Sequence, residues 1–272
     1  MGCPKKFSIS NGFGAALMAD PARGGRIVRA VHEAVNGSGA VAARGGRLVP
    51  VSVKTRLCGS VEETVTMLRA VLTAAGHTAA RPVVHAVTLH ARERDHRPEE
   101  APLYERAAAV VRACRTDELL QPLCFVLNGS VATRGDGVAK MARYGFDSAM
   151  LARAALVDMR AFAAAAPQAA TAASMEELVR ELFTLAVQYR CAFKNFKYHL
   201  TRLFPAVDCL KDRMPVIQSQ LRCYADGYTL FHVDGAQRRM LEECAYEVEM
   251  LDALPEAELG EEESKAKRIR SE

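Results

Sequence analysis

Residues 1 to about 165 alternate between short apolar runs and longer amphipathic segments, and this alternation restricts the possible folds more than any other feature. The apolar runs predict β-strands at 48–54, 82–90, 122–127 and 146–151. The segments between them predict helices at 22–36, 61–75, 102–115 and 134–144. Parallel strands need a crossover connection, which is usually a helix. We therefore expect an α/β fold with a parallel sheet.

The predicted helix at 61–75 carries the clearest start signal in the chain. Ser60 stands at the N-cap position and Glu63 follows three residues later, which is the pattern of a capping box. Apolar residues then recur at helical spacing.

The pattern changes near residue 166, and no further strand is predicted. An alanine-rich stretch at 163–173 contains Pro167, and Ser174 with Glu177 predicts the start of a helix. Amphipathic segments predict helices at 174–190, 192–204, 207–225 and 233–251. We expect domain boundaries at 1–165 for the α/β part and 166–251 for an all-α helical bundle. Residues 252–272 are charged and poor in apolar residues, which predicts a disordered tail.

Composition excludes several classes of protein. Half of the residues are hydrophobic and a quarter are charged, so the chain can form a packed core, and a net charge of +4 permits RNA binding without requiring it. The eight cysteines include no Cys-x-x-Cys pair, which argues against a zinc site and favours free thiols in a reducing compartment. The sequence contains no apolar run long enough to cross a membrane. We expect a cytoplasmic protein; nuclear and mitochondrial locations also remain open.

Polar residues follow each predicted strand. Where parallel strands end, the loops after them meet at one edge of the sheet, and barrel enzymes build their active sites there. The candidate residues, in chain order, are Lys54, Arg56, His90, Arg92, Asn128, Gly129, Ser130, Ala152 and Arg153.

The last two of these loops have the composition of a phosphate site. Small residues let backbone N–H groups approach a phosphate closely, and Arg153 can add a charge-assisted hydrogen bond. Other interpretations remain open at this stage. Asn128-Gly129 also forms ordinary turns, Lys54 suits a solvated surface position, and His90 suits a structural role.

The N-terminal segment holds a candidate reactive thiol. Cys3 lies in a Gly-Cys-Pro turn beside Lys5 and Lys6, and nearby positive charge favours the thiolate. A glycine-rich stretch at 11–14 follows. An inert cysteine and a flexible loop are the alternatives.

As an ordered set, these motifs resemble the signature of the tRNA-dihydrouridine synthases. The resemblance lies in Met1-Gly2-Cys3-Pro4-Lys5, Gly12-x-Gly14-Ala15-Ala16-Leu17, Val51-x-Val53-Lys54-x-Arg56, His90-x-Arg92, Asn128-Gly129-Ser130 and Ala152-Arg153-Ala154-Ala155. The branch that modifies position 20 of the tRNA D-loop is favoured by Arg97-Pro98, Ala186-Val187-Gln188-Tyr189 and Asn195-x-Lys197-Tyr198.

The resemblance implies an FMN-dependent enzyme that reduces a tRNA uridine to 5,6-dihydrouridine with NADPH and needs no metal. It implies that Cys3 is the general acid toward C5 and that the flavin delivers hydride to C6. The implied cofactor-binding residues are Lys54, His90, Asn128, Gly129, Ser130, Ala152 and Arg153. Residues expected to contact tRNA are Lys5, Arg56, Arg92, Arg94, Arg97, Lys194 and Lys197; for the lysines of the helical part, a solvated helix face is the alternative.

The resemblance also implies a TIM (β/α)8 barrel, which usually takes about 250 residues. In that family three barrel strands precede the Gly-Cys-Pro loop, so we expect a partial barrel lacking its first three strands. Two alternative functions follow. One is an inactive, truncated RNA-binding remnant or assembly factor; the other is a non-flavin barrel enzyme acting on a phosphorylated metabolite.

Overall fold

The computed structural model describes residues 1–164, 172–206, 208–233, 235 and 238–239 of the chain. The chain divides into two compact units. The first comprises Met1–Ala155 and Met159–Ala166, and the second comprises Leu156–Asp158 and Pro167–Glu272.

The first unit is built on a parallel sheet. Its described strands lie side by side in chain order: β1 (Ser52–Leu57), β2 (Ala86–Glu93), β3 (Cys124–Asn128) and β4 (Ser148–Met150). In the register Lys54 pairs with Thr88, Thr88 with Val126, and Val126 with Ser148. The predicted α/β fold with a parallel sheet is therefore confirmed.

Helices alternate with these strands along the first unit. They are α1 (Lys6–Ser10), α2 (Pro21–Asn36), α3 (Ser38–Ala43), α4 (Val61–Ala75), α5 (Tyr104–Arg115), α6 (Arg134–Tyr144) and α7 (Arg153–Val157), with 3-10 helices at Gly14–Met18 and Met159–Phe162. The capping box of α4 is confirmed, because the Glu63 amide donates to the Ser60 hydroxyl and the Glu63 carboxylate accepts from the Ser60 amide. Gly76 ends that helix in the left-handed conformation.

The first strand begins later than its apolar pattern predicted. Leu48 and Val49 are exposed and precede β1, whose pairing starts with Ser52 opposite Ala86. Pro50 lacks the N–H group that a ladder hydrogen bond requires. The strand continues instead through polar residues to Leu57, so the polar end of the strand was missed.

The apolar core of this unit lies between the sheet and its helices. On β2 the alternate residues Val87, Leu89 and Ala91 are fully buried, and Leu68 and Val71 of α4 pack in the same cluster. Each valine or leucine side chain among them stabilises the fold by roughly 1.5–3 kcal/mol on burial. The intervening residues of β2 point to the opposite face, which places His90 and Arg92 together.

The second unit is helical over its described residues and has its own core. Its elements are α8 (Ala172–Gln188), α9 (Phe193–Ala206), a 3-10 helix (Asp208–Arg213), α10 (Met214–Gln220) and α11 (Tyr224–Leu230). Phe183 lies at the centre, with its ring 5.4 Å from that of Tyr228 and 5.7 Å from that of Phe196. Gly227 leaves room for this ring, because a Cβ there would lie 2.2 Å from Phe183 Cε2.

Two predictions about this unit are wrong. The segment 207–225 is not one helix: Pro215 stands in the first turn of α10, and Leu221 is extended with ψ 95°. The Asp226 carboxylate then accepts hydrogen bonds from the Arg222 and Cys223 amides, which begins α11 as a separate helix. Ser174 lies within α8 and is not its cap. The helix predicted at 233–251 falls almost wholly outside the described residues, and the tail predicted at 252–272 falls entirely outside them.

Candidate active site

A cavity of about 780 Å³ opens at the carboxyl ends of the strands in the first unit. It collects residues from the N-terminal loop, from the carboxyl-terminal parts of β1, β2 and β3, and from the segments that follow β3 and β4. The polar and small residues that line it include Cys3, Gly14, Lys54, Arg56, His90, Arg92, Asn128, Gly129, Ser130, Ala152 and Arg153.

The structure thus brings together predicted site residues that are far apart in sequence. Cys3 and every residue expected to bind a cofactor line this cavity, as do Arg56 and Arg92. The remaining residues expected to contact tRNA, which are Lys5, Arg94, Arg97, Lys194 and Lys197, do not line it.

Cys3 presents an activated thiol. Its side chain is exposed, and the buried Ser8 hydroxyl donates a hydrogen bond to Sγ at 3.2 Å. This bond and one from the Lys5 backbone lower the pKa of Cys3, and the charges of Lys5 and Arg56 act in the same direction. Hydrogen bonds and positive charge favour the thiolate, so the Cys3 thiol loses its proton more readily than an ordinary cysteine does.

The glycine-rich stretch holds the Cys3 loop in place. The Ala15 amide donates to the Cys3 carbonyl at 2.9 Å, which pulls the two segments together. Gly14 has φ +60°, and a Cβ there would lie only 2.8 Å from the Cys3 carbonyl oxygen. Glycine is therefore required for both backbone conformation and close approach.

His90 is a neutral imidazole at ordinary pH. Burial lowers its pKa to about 3, and Arg56, Lys54, Arg92 and Arg153 add to the effect. Its Nε2 lies 3.2 Å from Nη1 of Arg92. Because a guanidinium only donates hydrogen bonds, Nε2 accepts and the imidazole proton resides on Nδ1.

Lys54 shares this electropositive surrounding. Its side chain keeps contact with solvent at the cavity wall, but partial burial and the neighbouring Arg56 lower its pKa. Four cationic side chains line this cavity and together attract an anionic ligand. They are Lys54, Arg56, Arg92 and Arg153.

Arg56 and Arg92 are buried in the cavity wall and donate hydrogen bonds to its loops. Arg92 is only 2% exposed and donates to the carbonyls of Glu100 and Pro98 and to the Ser130 hydroxyl. Arg56 is 8% exposed and donates to the carbonyls of Gly2 and Glu93. Both guanidiniums therefore join the loops of the cavity wall, and their contact with tRNA stays a prediction.

The turn after β3 leaves its backbone open to the cavity. Gly129 has φ +125°, and a Cβ there would lie 3.2 Å from Cδ2 of His90. Tyr104 fixes this turn by donating its hydroxyl to the Gly129 carbonyl at 2.6 Å, and the Asn128 amide donates to the Met150 carbonyl at 2.9 Å. Arg153, which follows β4, is exposed and lies 3.4 Å from the Pro98 carbonyl.

The other predicted cations lie elsewhere. Arg94 forms an ion pair with Asp95, and Arg97 is exposed in the same loop. Lys194 is exposed on α9 in the second unit. Lys197 donates to the Leu221 carbonyl at 2.6 Å and the Gln218 carbonyl at 3.3 Å. It therefore binds the carbonyls at the end of α10, a structural role that the sequence did not indicate.

The described residues offer neither a metal centre nor a membrane-crossing helix. Among them, no group of three or more His, Cys, Asp or Glu side chains is placed to hold a metal ion. No helix within the described ranges combines the length and hydropathy that membrane crossing requires.

A parallel sheet with a cationic cavity and an exposed thiol at its carboxyl edge is the arrangement on which α/β enzymes build their sites. The chain belongs to the dihydrouridine synthase (Dus) family, because the sequence model of that family matches residues 1–251.

Curated relatives agree with this membership. The chain is 26% identical over 202 residues to the tRNA-dihydrouridine(20) synthase [NAD(P)+] of Schizosaccharomyces pombe, covering 74% of this chain and 37% of the relative. It is 26% identical over 207 residues to the protein of the same name from Saccharomyces cerevisiae, covering 75% and 49%. A tRNA-dihydrouridine(47) synthase [NAD(P)(+)] of Scheffersomyces stipitis is 31% identical over 166 residues, covering 57% and 24%. The matched regions span less than half the length of each of these relatives.

Proposed function

We propose that this chain carries the catalytic cavity of a tRNA-dihydrouridine synthase that acts on the position-20 uridine of the D-loop. The observation that carries the proposal is the shared cavity: Cys3, His90, Gly129 and Arg153 come from four separate segments and line one space. The names of the yeast relatives support the choice of tRNA and of position 20.

The cavity suits FMN as cofactor. Its volume of about 780 Å³ lies in the range of cofactor sites, and its cations match a phosphate. Gly129 leaves the backbone bare where a side chain would meet His90. We propose that Asn128, Gly129, Ser130, Ala152 and Arg153 hold the phosphate and that Lys54 and His90 hold the ring system. A bound FMN would supply hydride chemistry, with NADPH as the reductant.

Cys3 supplies the proton. Reduction of the uracil C5–C6 double bond adds a hydride at C6 and a proton at C5, and Cys3 Sγ gives its proton to C5. The thiolate that remains accepts the Ser8 hydrogen bond and lies in the field of Lys5 and Arg56. Its proton is then replaced from solvent. The uridine has to leave its stack to reach the thiol, because C5 and C6 are covered within stacked RNA.

We also propose how the chain is organised into domains and where the protein is located. The sheet with its alternating helices is part of a (β/α)8 barrel, supported by the chain-order arrangement of its parallel strands. The helical domain at 166–251 binds tRNA, supported by a separate apolar core and the exposed Lys194. A cytoplasmic location suits the described cysteines, which are free thiols.

The test is reconstitution with FMN, NADPH and an unmodified tRNA transcript. Dihydrouridine is quantified by mass spectrometry, and NADPH oxidation is followed in parallel. Cys3→Ala should keep flavin binding and NADPH oxidation but lose dihydrouridine formation. Cys58→Ala is the matched control, because Cys58 lies outside the cavity lining, and it should retain product formation.

Two outcomes would contradict the proposal. Unchanged dihydrouridine in the Cys3 variant would remove this thiol from the mechanism. A colourless protein that binds tRNA but forms no product would favour the inactive RNA-binding remnant.

A further inference from the structure

Two aromatic side chains are exposed beside the Cys3 loop. Phe7 of α1 is 64% exposed and Phe13 is 42% exposed. Their ring centroids lie 5.6 Å apart with an interplanar angle of 77°, so the rings meet edge to face. We call Phe7 and Phe13 the aromatic pair.

Two hydrogen bonds through Ser8 connect Phe13 of the aromatic pair to the Cys3 thiol. The Phe13 amide donates to the Ser8 carbonyl at 3.0 Å, and the Ser8 hydroxyl donates to Cys3 Sγ at 3.2 Å. Gly14, the residue after Phe13, lines the cavity together with Cys3 and Pro4. The aromatic pair therefore adjoins the wall of the cavity that carries the proton donor.

Three cationic residues are close to the aromatic pair in sequence or along the same loop. Lys5 and Lys6 are exposed next to Phe7 in sequence. The Arg23 guanidinium approaches the loop before Phe13, because a Cβ on Gly12 would lie 2.9 Å from Arg23 Nη1. Asp20 is the neighbouring acidic group and accepts the Arg23 backbone N–H as the cap of α2.

We propose that the aromatic pair is a stacking platform for an unpaired RNA base adjacent to the target uridine. This inference rests on the proposed function and adds a specific contact to it. Exposed aromatic rings among cations are the combination that binds single-stranded nucleic acid, since bases stack on the rings while phosphates pair with the charges. An extruded uridine leaves its neighbour without a stacking partner on one side, and a ring can replace the lost base.

Charge and position favour RNA over the other possible occupants. Two exposed lysines precede Phe7 in sequence and Arg23 approaches the loop before Phe13, and these cations complement a phosphate backbone. Gly14, which directly follows Phe13, lines the cavity that the proposed function assigns to the uridine.

The test measures binding of an unmodified tRNA transcript by fluorescence anisotropy at fixed salt, using the full chain. Phe7→Ala and Phe13→Ala should each weaken binding by about tenfold, the loss expected for one stacked base. Phe7→Tyr and Phe13→Tyr, which keep the rings, should restore it. Phe162→Ala is the matched control, because Phe162 is 54% exposed in the same unit but does not line the cavity, and it should bind as wild type does.

A second readout reports stacking itself. With 2-aminopurine in the transcript at the position adjacent to the target uridine, its fluorescence should be quenched by wild type and by the tyrosine variants, and not by Phe13→Ala. Circular dichroism verifies that each variant is folded, as expected for side chains this exposed.

The outcomes separate the two proposals. If wild type forms dihydrouridine but the alanine variants bind and quench like the Phe162 control, the stacking platform is wrong and the proposed function stands. If wild type neither binds tRNA nor forms product, both fail. If the alanine variants instead dissociate a wild-type dimer in sedimentation measurements without changing tRNA binding, the pair contacts a second copy and the inference is overturned.

Discussion

At the residue scale, the most consequential contact is the hydrogen bond from Ser8 to Cys3. Because this bond is the largest cause of the lowered pKa of Cys3, its removal raises that pKa. Ser8→Ala should therefore slow alkylation of Cys3 by iodoacetamide near neutral pH and shift the pH profile of alkylation upward. The rate is measured by mass spectrometry of the Cys3 peptide.

Ser10→Ala provides the control for this experiment. Ser10 is exposed on the same short helix, and its hydroxyl donates to the Phe7 carbonyl and not to the thiol. An identical pH profile in wild type, Ser8→Ala and Ser10→Ala would show that Ser8 does not activate Cys3.

His90 predicts a pH dependence of stability. Its folded pKa of about 3 lies below the ordinary value of 6.5, so between these values the unfolded chain binds a proton that the folded chain does not. The contribution of His90 to the free energy of unfolding is fully present above pH 6.5. It is lost as the pH falls from 6.5 toward 3. The free energy of unfolding, measured by urea titration at stepwise lower pH, should fall more steeply in wild type than in His90→Gln. An equal pH dependence of the free energy of unfolding in the two proteins would contradict the lowered pKa of His90.

Sequence reasoning reached many residues of the cavity because strand ends converge wherever a sheet is parallel. This rule identified Lys54, His90, Gly129 and Arg153, whereas Cys3 was identified from its Gly-Cys-Pro turn and the lysines beside it. It missed Ser8 and Tyr104, since their contacts depend on how a loop folds back and no spacing encodes that. It also missed the bonds of Arg92 to the Glu100 and Pro98 carbonyls, because a sequence does not show whether an arginine binds protein carbonyls or faces solvent.

At the element scale, the conformation of the turn that ends in Gly14 leads to a specific prediction about stability. Gly14→Ala introduces strain at φ +60° and a contact of 2.8 Å with the Cys3 carbonyl oxygen. Gly45→Ala shares the strain, at φ +62°, but meets nothing within 4 Å. Strain alone costs roughly 1–2 kcal/mol. Gly14→Ala should therefore lower the free energy of unfolding by clearly more than Gly45→Ala; equal losses would show that the close approach is unimportant.

The packing of α2 on α4 depends on Gly25. A Cβ there would lie 2.4 Å from the Val71 carbonyl oxygen and 2.5 Å from Ala74 Cβ. Replacing a helical glycine by alanine normally stabilises by about 0.5–1 kcal/mol. We expect a gain of up to that size for Gly135→Ala in the first turn of α6, where the atom nearest to the added Cβ lies 3.9 Å away, and a net loss for Gly25→Ala. Thermal unfolding of the two variants checks the contrast, and stabilisation by both would contradict the packing argument.

Helices were predicted more accurately than strands for a physical reason. A cap such as Ser60 with Glu63 defines a helix start locally, and α4 covers the predicted residues Val61–Ala75. The bounds of β1 depend on its pairing with β2, which begins at Ser52 and includes polar residues. The division of 207–225 into a 3-10 helix, α10 and α11 depends on Pro215 and on the Asp226 cap, two local signals that the apolar periodicity concealed.

At the scale of the whole molecule, strand–helix alternation was sufficient to predict the parallel sheet and the edge that carries the site. Four cationic side chains and a small-residue turn then form one electropositive cavity beside a reactive thiol. The sequence could not predict which cations become part of the wall, because that depends on burial. Arg56 and Arg92 are buried there, whereas Lys54 and Arg153 keep solvent contact.

The central claim, that this cavity is a flavin site, is tested most directly by titrating the protein with FMN and following flavin fluorescence. The account predicts saturable binding at one site per chain, weakened about tenfold or more in Arg153→Ala by loss of a charge-assisted hydrogen bond. Arg94→Ala, which removes an exposed arginine outside the cavity, should bind FMN as wild type does. Absence of saturable binding, or equal affinity in all three proteins, would contradict it.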